Sequence, residues 1–212
     1  MKISEPMTML TDYLVTLVAA SLGAHLIIEG RARGARSEVL WGWAFMATAL
    51  GALAGGTSHG FVEQLGPEGW SLLWKITVFA IGAASFLLLA GGLVAAVSGP
   101  WRTILLCAAL LKLGGYVWWM ASHDDFRFVI NDYGSSMAVV LLLQLWLWWG
   151  HRAPSAPWVV GGILVSTVAS LIQQSGFSLH QHFNHNDIFH VIQLVALWLL
   201  YRGARLLDDA GD

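Results

Sequence analysis

Seven apolar stretches, each near the roughly 20 residues that cross a hydrocarbon core, constrain this chain more than any other feature. They run Met9–Ile28, Leu40–Phe61, Trp70–Val97, Trp101–Ala121, Phe126–Trp149, Pro157–Phe177 and Asp187–Leu206. Apolar runs of that length read as membrane spans. Composition agrees: 57% of the residues are hydrophobic and only 11% charged, against about 25% charged in a soluble domain. Short links rich in Gly, Pro and Arg separate the stretches, such as Ser98-Gly-Pro100 and Gly150-His-Arg-Ala-Pro-Ser-Ala-Pro157. No link is long enough to separate soluble domains, and no internal repeat is visible. Residues 1–212 are therefore expected to form one all-α polytopic membrane domain of seven transmembrane helices.

The first residues, Met1-Lys-Ile-Ser-Glu-Pro, lack the basic start and small-residue cleavage site of a signal peptide, so the first stretch is expected to stay as a span. Orientation follows from Lys and Arg in the links. Arg31, Arg33, Arg36, Arg102, Arg152, Arg202 and Arg205 fall at one end of the bundle. The other end has Lys2 and Arg127 among Glu5, Glu63, Glu68, Asp124 and Asp125. This places the N-terminus outside and the C-terminus in the cytoplasm, in what reads as a bacterial inner (plasma) membrane. A net charge of −2 gives nucleic acid nothing to bind, so the expected partners are the lipid bilayer and a lipid-like small molecule. The single Cys107 lies inside an apolar stretch, which excludes a disulfide framework and a thiolate metal site.

That topology gathers the histidines. Of the 8 in the chain, His59, His123, His180, His182, His185 and His190 fall at the outer end; only His25 and His151 fall at the inner one. Four of them stand with Asp187 in the run Ser178-Leu-His-Gln-His-Phe-Asn-His-Asn-Asp-Ile-Phe-His190. Imidazole and carboxylate are the usual ligands of a borderline metal such as zinc. Asn186 or Asp187 can cap the seventh helix, leaving His185 just before it and Asp187 and His190 three apart on one face. A polar loop touching only water and headgroups is the plainer alternative.

Several residues inside the spans also call for a partner. Thr48, Gly51, Ala52, Gly55 and His59 recur at helical spacing, so His59 is expected to point inward along a face where small residues admit a neighbouring helix. The alternative for His59 is a packing histidine bonded to a carbonyl. Lys112, about half-way across, is expected to meet a carboxylate or carbonyls inside the bundle. Ser166, Ser170 and Gln173 form a polar stripe read as interhelical hydrogen bonds. His25 and Glu29 read as a satisfied pair near the headgroups. Trp41, Trp43, Trp101, Trp146, Trp148, Trp149 and Trp158 read as an aromatic belt at the cytoplasmic side.

Seven spans, a histidine ending the second, and Asn186-Asp-Ile-Phe-His190 opening the seventh resemble the CREST superfamily of membrane hydrolases. That group includes alkaline ceramidases, adiponectin receptors and hemolysin III-like bacterial proteins. The resemblance implies a zinc held by one histidine on helix two and a His-x-x-x-His pair opening helix seven, with an activating aspartate and a serine. His59 and His190 match that pattern. Asn186 stands where the pair has its first histidine, Gly55 where the family has serine, and segment three carries Lys75 and no aspartate. The third ligand is therefore assigned to His185, with His123, His180 and His182 as alternatives, and the acid to Asp187, Asp132 or Asp124. The run His185–Gln193 with Leu200-Tyr-Arg-Gly203 is also similar to a bacterial seven-helix family of unknown function.

The implied activity is zinc-dependent hydrolysis of an amide or ester bond in a lipid or other amphiphile. A metal-bound water loses its proton near pH ~7, and a nearby carboxylate would take that proton and return it to the leaving group. The rival class is not an enzyme: a metal- or haem-binding electron carrier, sensor or transporter.

Overall fold

The computed structural model describes residues 3–211, so Lys2, used above for orientation, lies outside the described residues. The fold is all-α. Its helices are α1 (Pro6–Arg33), α2 (Arg36–Gly60), α3 (Val62–Ala96), α4 (Gly99–Met120), α5 (Phe126–His151), α6 (Ala156–Ser175) and α7 (His185–Ala204). All 7 are long and apolar enough to cross a membrane. Chain neighbours α1–α2, α2–α3 and α6–α7 pack together, α3 and α6 both meet α5, and α7 closes back onto α1. Six helices thus form a ring, while α4 sits outside it against α3.

Where the helices exceed the apolar stretches, the cause is local. Pro6 starts α1 three residues early, because proline fits the first turn, where its missing N–H is not needed. At the far end Arg31 and Arg33 sit in the last turn, favoured by the helix dipole, and Gly34 stops the helix at φ 73°. In α3 the segment around Gln64–Gly69 is largely helical, not a loop, but it breaks at Gly66, whose φ of 64° suits glycine, and restarts at Pro67. Helix α7 begins at His185, capped by Asn184 rather than by Asn186 or Asp187.

The arginine-rich end is tied together by the chain's own tail. Asp209 accepts hydrogen bonds from the backbone N–H groups of Arg36 (2.9 Å) and Ser37 (2.9 Å), satisfying donors that the first turn of α2 cannot pair within the helix. Partial burial raises the Asp209 pKa, but these bonds outweigh it and leave the carboxyl below its ordinary value. Arg33 pairs with the fully buried Glu38. Arg205 reaches Glu29 at 2.8 Å, and His25 lies 3.5 Å from Glu29, the pairing expected for it.

Trp41 is a correction to the aromatic belt. It is fully buried and donates from its indole N–H to the Leu88 carbonyl at 3.1 Å. Gly91 makes this possible: a Cβ there would stand 2.3 Å from the Trp41 ring. Trp43, Trp101, Trp146, Trp148 and Trp149 are exposed. Lys112 meets the partner expected of it, with Asp132 Oδ1 at 2.5 Å and Ser136 Oγ at 3.0 Å. This pair holds α4 to α5.

Candidate functional site

The site begins at Asp12, a carboxylate set inside the first apolar span. Gly56 on α2 gives it room, since a Cβ at that position would lie 2.7 Å from the Asp12 Cβ. Asp12 is 6% exposed and faces His190 of α7, which is 9% exposed, with Oδ1 and Nε2 3.2 Å apart. The other ring nitrogen, Nδ1, lies 2.9 Å from the Thr11 hydroxyl. That hydroxyl in turn sits 3.0 Å from the carbonyls of both Met7 and Thr8. If Thr11 gives its proton to a carbonyl, His190 donates from Nδ1; if not, it donates from Nε2. In each tautomer one proton lies between Nε2 and Asp12, because two lone pairs cannot face each other at that distance.

Asp12 and His190 both line a cavity of about 260 Å³ at the histidine-rich end, inside the ring of six helices. The small-residue face of α2 lines it as well, from Thr48 through Gly51, Ala52 and Gly55 to His59; the same face admits α3, since a Cβ on Gly51 would stand 3.1 Å from Ile81. His59 Nδ1 lies 3.3 Å from Glu5 Oε2, and its ring meets Trp74 edge-on with centroids 6.3 Å apart. The hydrogen bond with His59 holds the Glu5 carboxyl below the usual carboxylate range. Opposite stands the polar stripe of α6: Ser166, Ser170 and Gln173. Only Gln173 makes the interhelical bond read from the sequence, to Asn186 Oδ1 at 3.1 Å. Trp74, Phe126, Tyr133 and Phe189 give the cavity an aromatic wall.

The remaining sequence candidates lie elsewhere. His185 occupies the first position of α7, half-buried, and does not line the cavity. His123, an alternative third ligand on sequence grounds, stacks on Trp119 with ring centroids 3.9 Å apart and does not line the cavity, whereas His59 and His190 do. His180 and His182 are exposed in the loop before α7, with ring centroids 5.3 Å apart. Asp187 is fully buried as the second half of a capping box, accepting from the Asn184 N–H at 2.7 Å. Its other oxygen, Oδ1, is buried with no hydrogen-bond partner among the described residues. Asp132 belongs to Lys112, and Asp124 to Lys75 at 2.5 Å.

Among the described residues, no group of three or more His, Cys, Asp or Glu side chains is placed to hold a metal ion. His190 has both ring nitrogens engaged, and His59 has one turned to Glu5. Of the three histidines expected as ligands, His59 and His190 border the cavity and His185 does not. Asp12 was not among the residues expected from the sequence, although its signal is present there: a lone carboxylate in Met9-Leu-Thr-Asp-Tyr-Leu14 is costly in hydrocarbon unless it has a partner.

Fold and site together define a class: an all-α bundle of seven helices able to cross a membrane, around a cavity with a buried Asp–His pair on its wall. The chain belongs to a family of unknown function (DUF6962), whose model matches residues 7–209, from the first turn of α1 to the tail beyond α7. No curated protein and no solved structure matches the chain.

Proposed function

We propose that the chain is an integral membrane protein that takes an amphiphilic small molecule into the Asp12–His190 cavity and exchanges a proton with it there. The observation that carries this reading is the buried Asp12–His190 pair on the cavity wall. An ionisable pair at membrane depth is expensive and marks a functional site by default. A cavity with an aromatic side and a polar side suits a molecule with an apolar chain and a polar head. Hydrolysis of an amide or ester is the reaction implied by the resemblance to membrane hydrolases. Asp12, with His190 holding the shared proton, is the group able to take a proton from an attacking water and return it to the leaving group.

The arginine distribution supports a cytoplasmic arginine-rich end and an outward-facing cavity, in a bacterial inner membrane. Cysteines at Glu68 and Asp208, both exposed, introduced into a Cys107→Ala background, test this. Label should reach position 68, not 208, from outside intact cells.

A photoactivatable N-acyl ethanolamide with a diazirine in its chain tests the binding site. Adducts at Trp74, Phe126, Tyr133 or Phe189, lost when Gly55→Leu fills the cavity, are the expected result. Adducts confined to outward residues such as Leu111 and Trp118 would contradict it.

One observation favours a second reading. His190 Nε2 and Asp12 Oδ1 stand 3.2 Å apart, close to the ~3.3 Å between two ligands of one tetrahedral zinc with bonds of about 2.0–2.2 Å. His59 borders the same cavity. Stoichiometric zinc in the wild type, lost in both His59→Ala and His190→Ala, would establish a metal centre.

A further inference from the structure

We infer that the cavity selects an uncharged polar headgroup, one bearing hydroxyls or an amide and no phosphate, and that Ser166 and Gln173 of α6 recognise it. This rests on the amphiphile-binding reading of the same cavity and adds the class of ligand. Two observations point to it independently.

The first is a pair of orphaned polar atoms. Ser166 and Gln173 line the cavity, yet Ser166 Oγ and Gln173 Oε1 are buried without a hydrogen-bond partner among the described residues. A buried polar atom left unpaired is costly, so such atoms have a partner in the working state. Both residues border the cavity, so the two oxygens lie within a side chain's length of its space. The serine hydroxyl can donate or accept, and the glutamine carbonyl accepts from a ligand O–H or N–H. Gln173 is already oriented, since its amide N–H donates to Asn186 Oδ1.

The second observation is the charge of the walls. Among the described residues no lysine or arginine lines the cavity, while Asp12 does. The basic groups nearest in kind are the two histidines, and His190 is paired with Asp12 and His59 with Glu5. A helix N-terminus can hold an anion through its free N–H groups, and α7 begins at this cavity. That capacity is already used. Asn184 Oδ1 takes the N–H groups of Asn186 (2.8 Å) and Asp187 (3.4 Å), and the Asp187 carboxylate occupies the first turn. A phosphate entering here would lose its water, gain no cation and meet a carboxylate. A neutral hydroxyl or amide head meets donors and acceptors that match it.

Three amphiphiles with the same dodecyl chain separate the possibilities: N-dodecanoyl ethanolamide, monododecanoylglycerol and dodecyl phosphate. Binding is measured by titration calorimetry on the full chain in phosphatidylcholine nanodiscs. The two neutral ligands should bind, and the phosphate should bind roughly tenfold more weakly or worse. Ser166→Ala and Gln173→Met should each weaken the neutral ligands by about three- to tenfold, the worth of one hydrogen bond, and leave any phosphate binding as it was. Unfolding temperature serves as the control for fold. Phosphate binding equal to that of the neutral ligands, or neutral binding unchanged in both variants, would overturn this inference and leave the cavity's role as an amphiphile site standing. Binding of none of the three would overturn both.

Discussion

Asp12 on the first helix and His190 on the last share a proton across 3.2 Å, and this contact lies where the ring of helices closes. Removing one partner leaves the other buried without compensation, which is typically worth about 3–5 kcal/mol. His190→Leu should therefore be strongly destabilising. The double variant Asp12→Leu/His190→Leu, with both polar groups gone, should be less damaged than the sum of the single ones. Unfolding in detergent followed through a double-mutant cycle checks this. Additive effects would show that the two side chains do not act as a pair.

Gly56 controls how closely α1 approaches α2 beside Asp12. Gly56→Ala sets a methyl group 2.7 Å from the Asp12 Cβ, and overpacking of this kind costs about 1–3 kcal/mol. The expected outcome is a lower unfolding temperature together with weaker amphiphile binding. Gly114→Ala, in open space on α4, should change neither.

The Glu5–His59 contact makes a prediction about acid. Hydrogen bonding to His59 lowers the Glu5 pKa from its ordinary value of 4.5. A depressed carboxyl stabilises the fold fully above its unfolded value, near pH 4.5, and the gain is lost as pH falls through the lower folded value. Glu5 is 44% exposed, so solvent screening keeps the contribution to about 1 kcal/mol or less. Unfolding temperature should drop on acidification below pH 4.5, and less steeply in Glu5→Gln than in the wild type.

Asp132, a candidate acid on sequence grounds, is expected to matter for stability and not for chemistry. Asp132→Asn deprives Lys112 of its charge partner inside the bundle and should destabilise the protein while leaving amphiphile binding unaltered. Lost binding in a variant that still folds would return Asp132 to the site.

The helices were legible because apolar length is a strong signal, and the inward aim of His59 because small residues marked its face. Lys112 betrayed its carboxylate for a related reason: a charge half-way across needs a partner, whatever the packing. What escaped was the pairing of the chain's two ends. Asp12 sits in a helix whose other signals are apolar, and only closure of α7 on α1 shows that its partner is His190. His123 was misplaced because shared depth fixes only one coordinate. Its helix, α4, lies outside the ring, a matter of packing that spacing within one segment cannot encode. Trp41 was misread because burial depended on Gly91, fifty residues on in another helix.

The acid–base role of Asp12 is tested most directly by fatty-acid release from N-dodecanoyl ethanolamide and from a dodecanoyl ester. The assay compares the wild type in phosphatidylcholine nanodiscs with Asp12→Asn, which keeps the shape and loses the charge. The wild type should release fatty acid and the variant should fall by roughly a hundred- to ten-thousand-fold, the usual worth of a positioned acid or base, with ligand binding retained. Release by Asp12→Asn at the wild-type rate would contradict it.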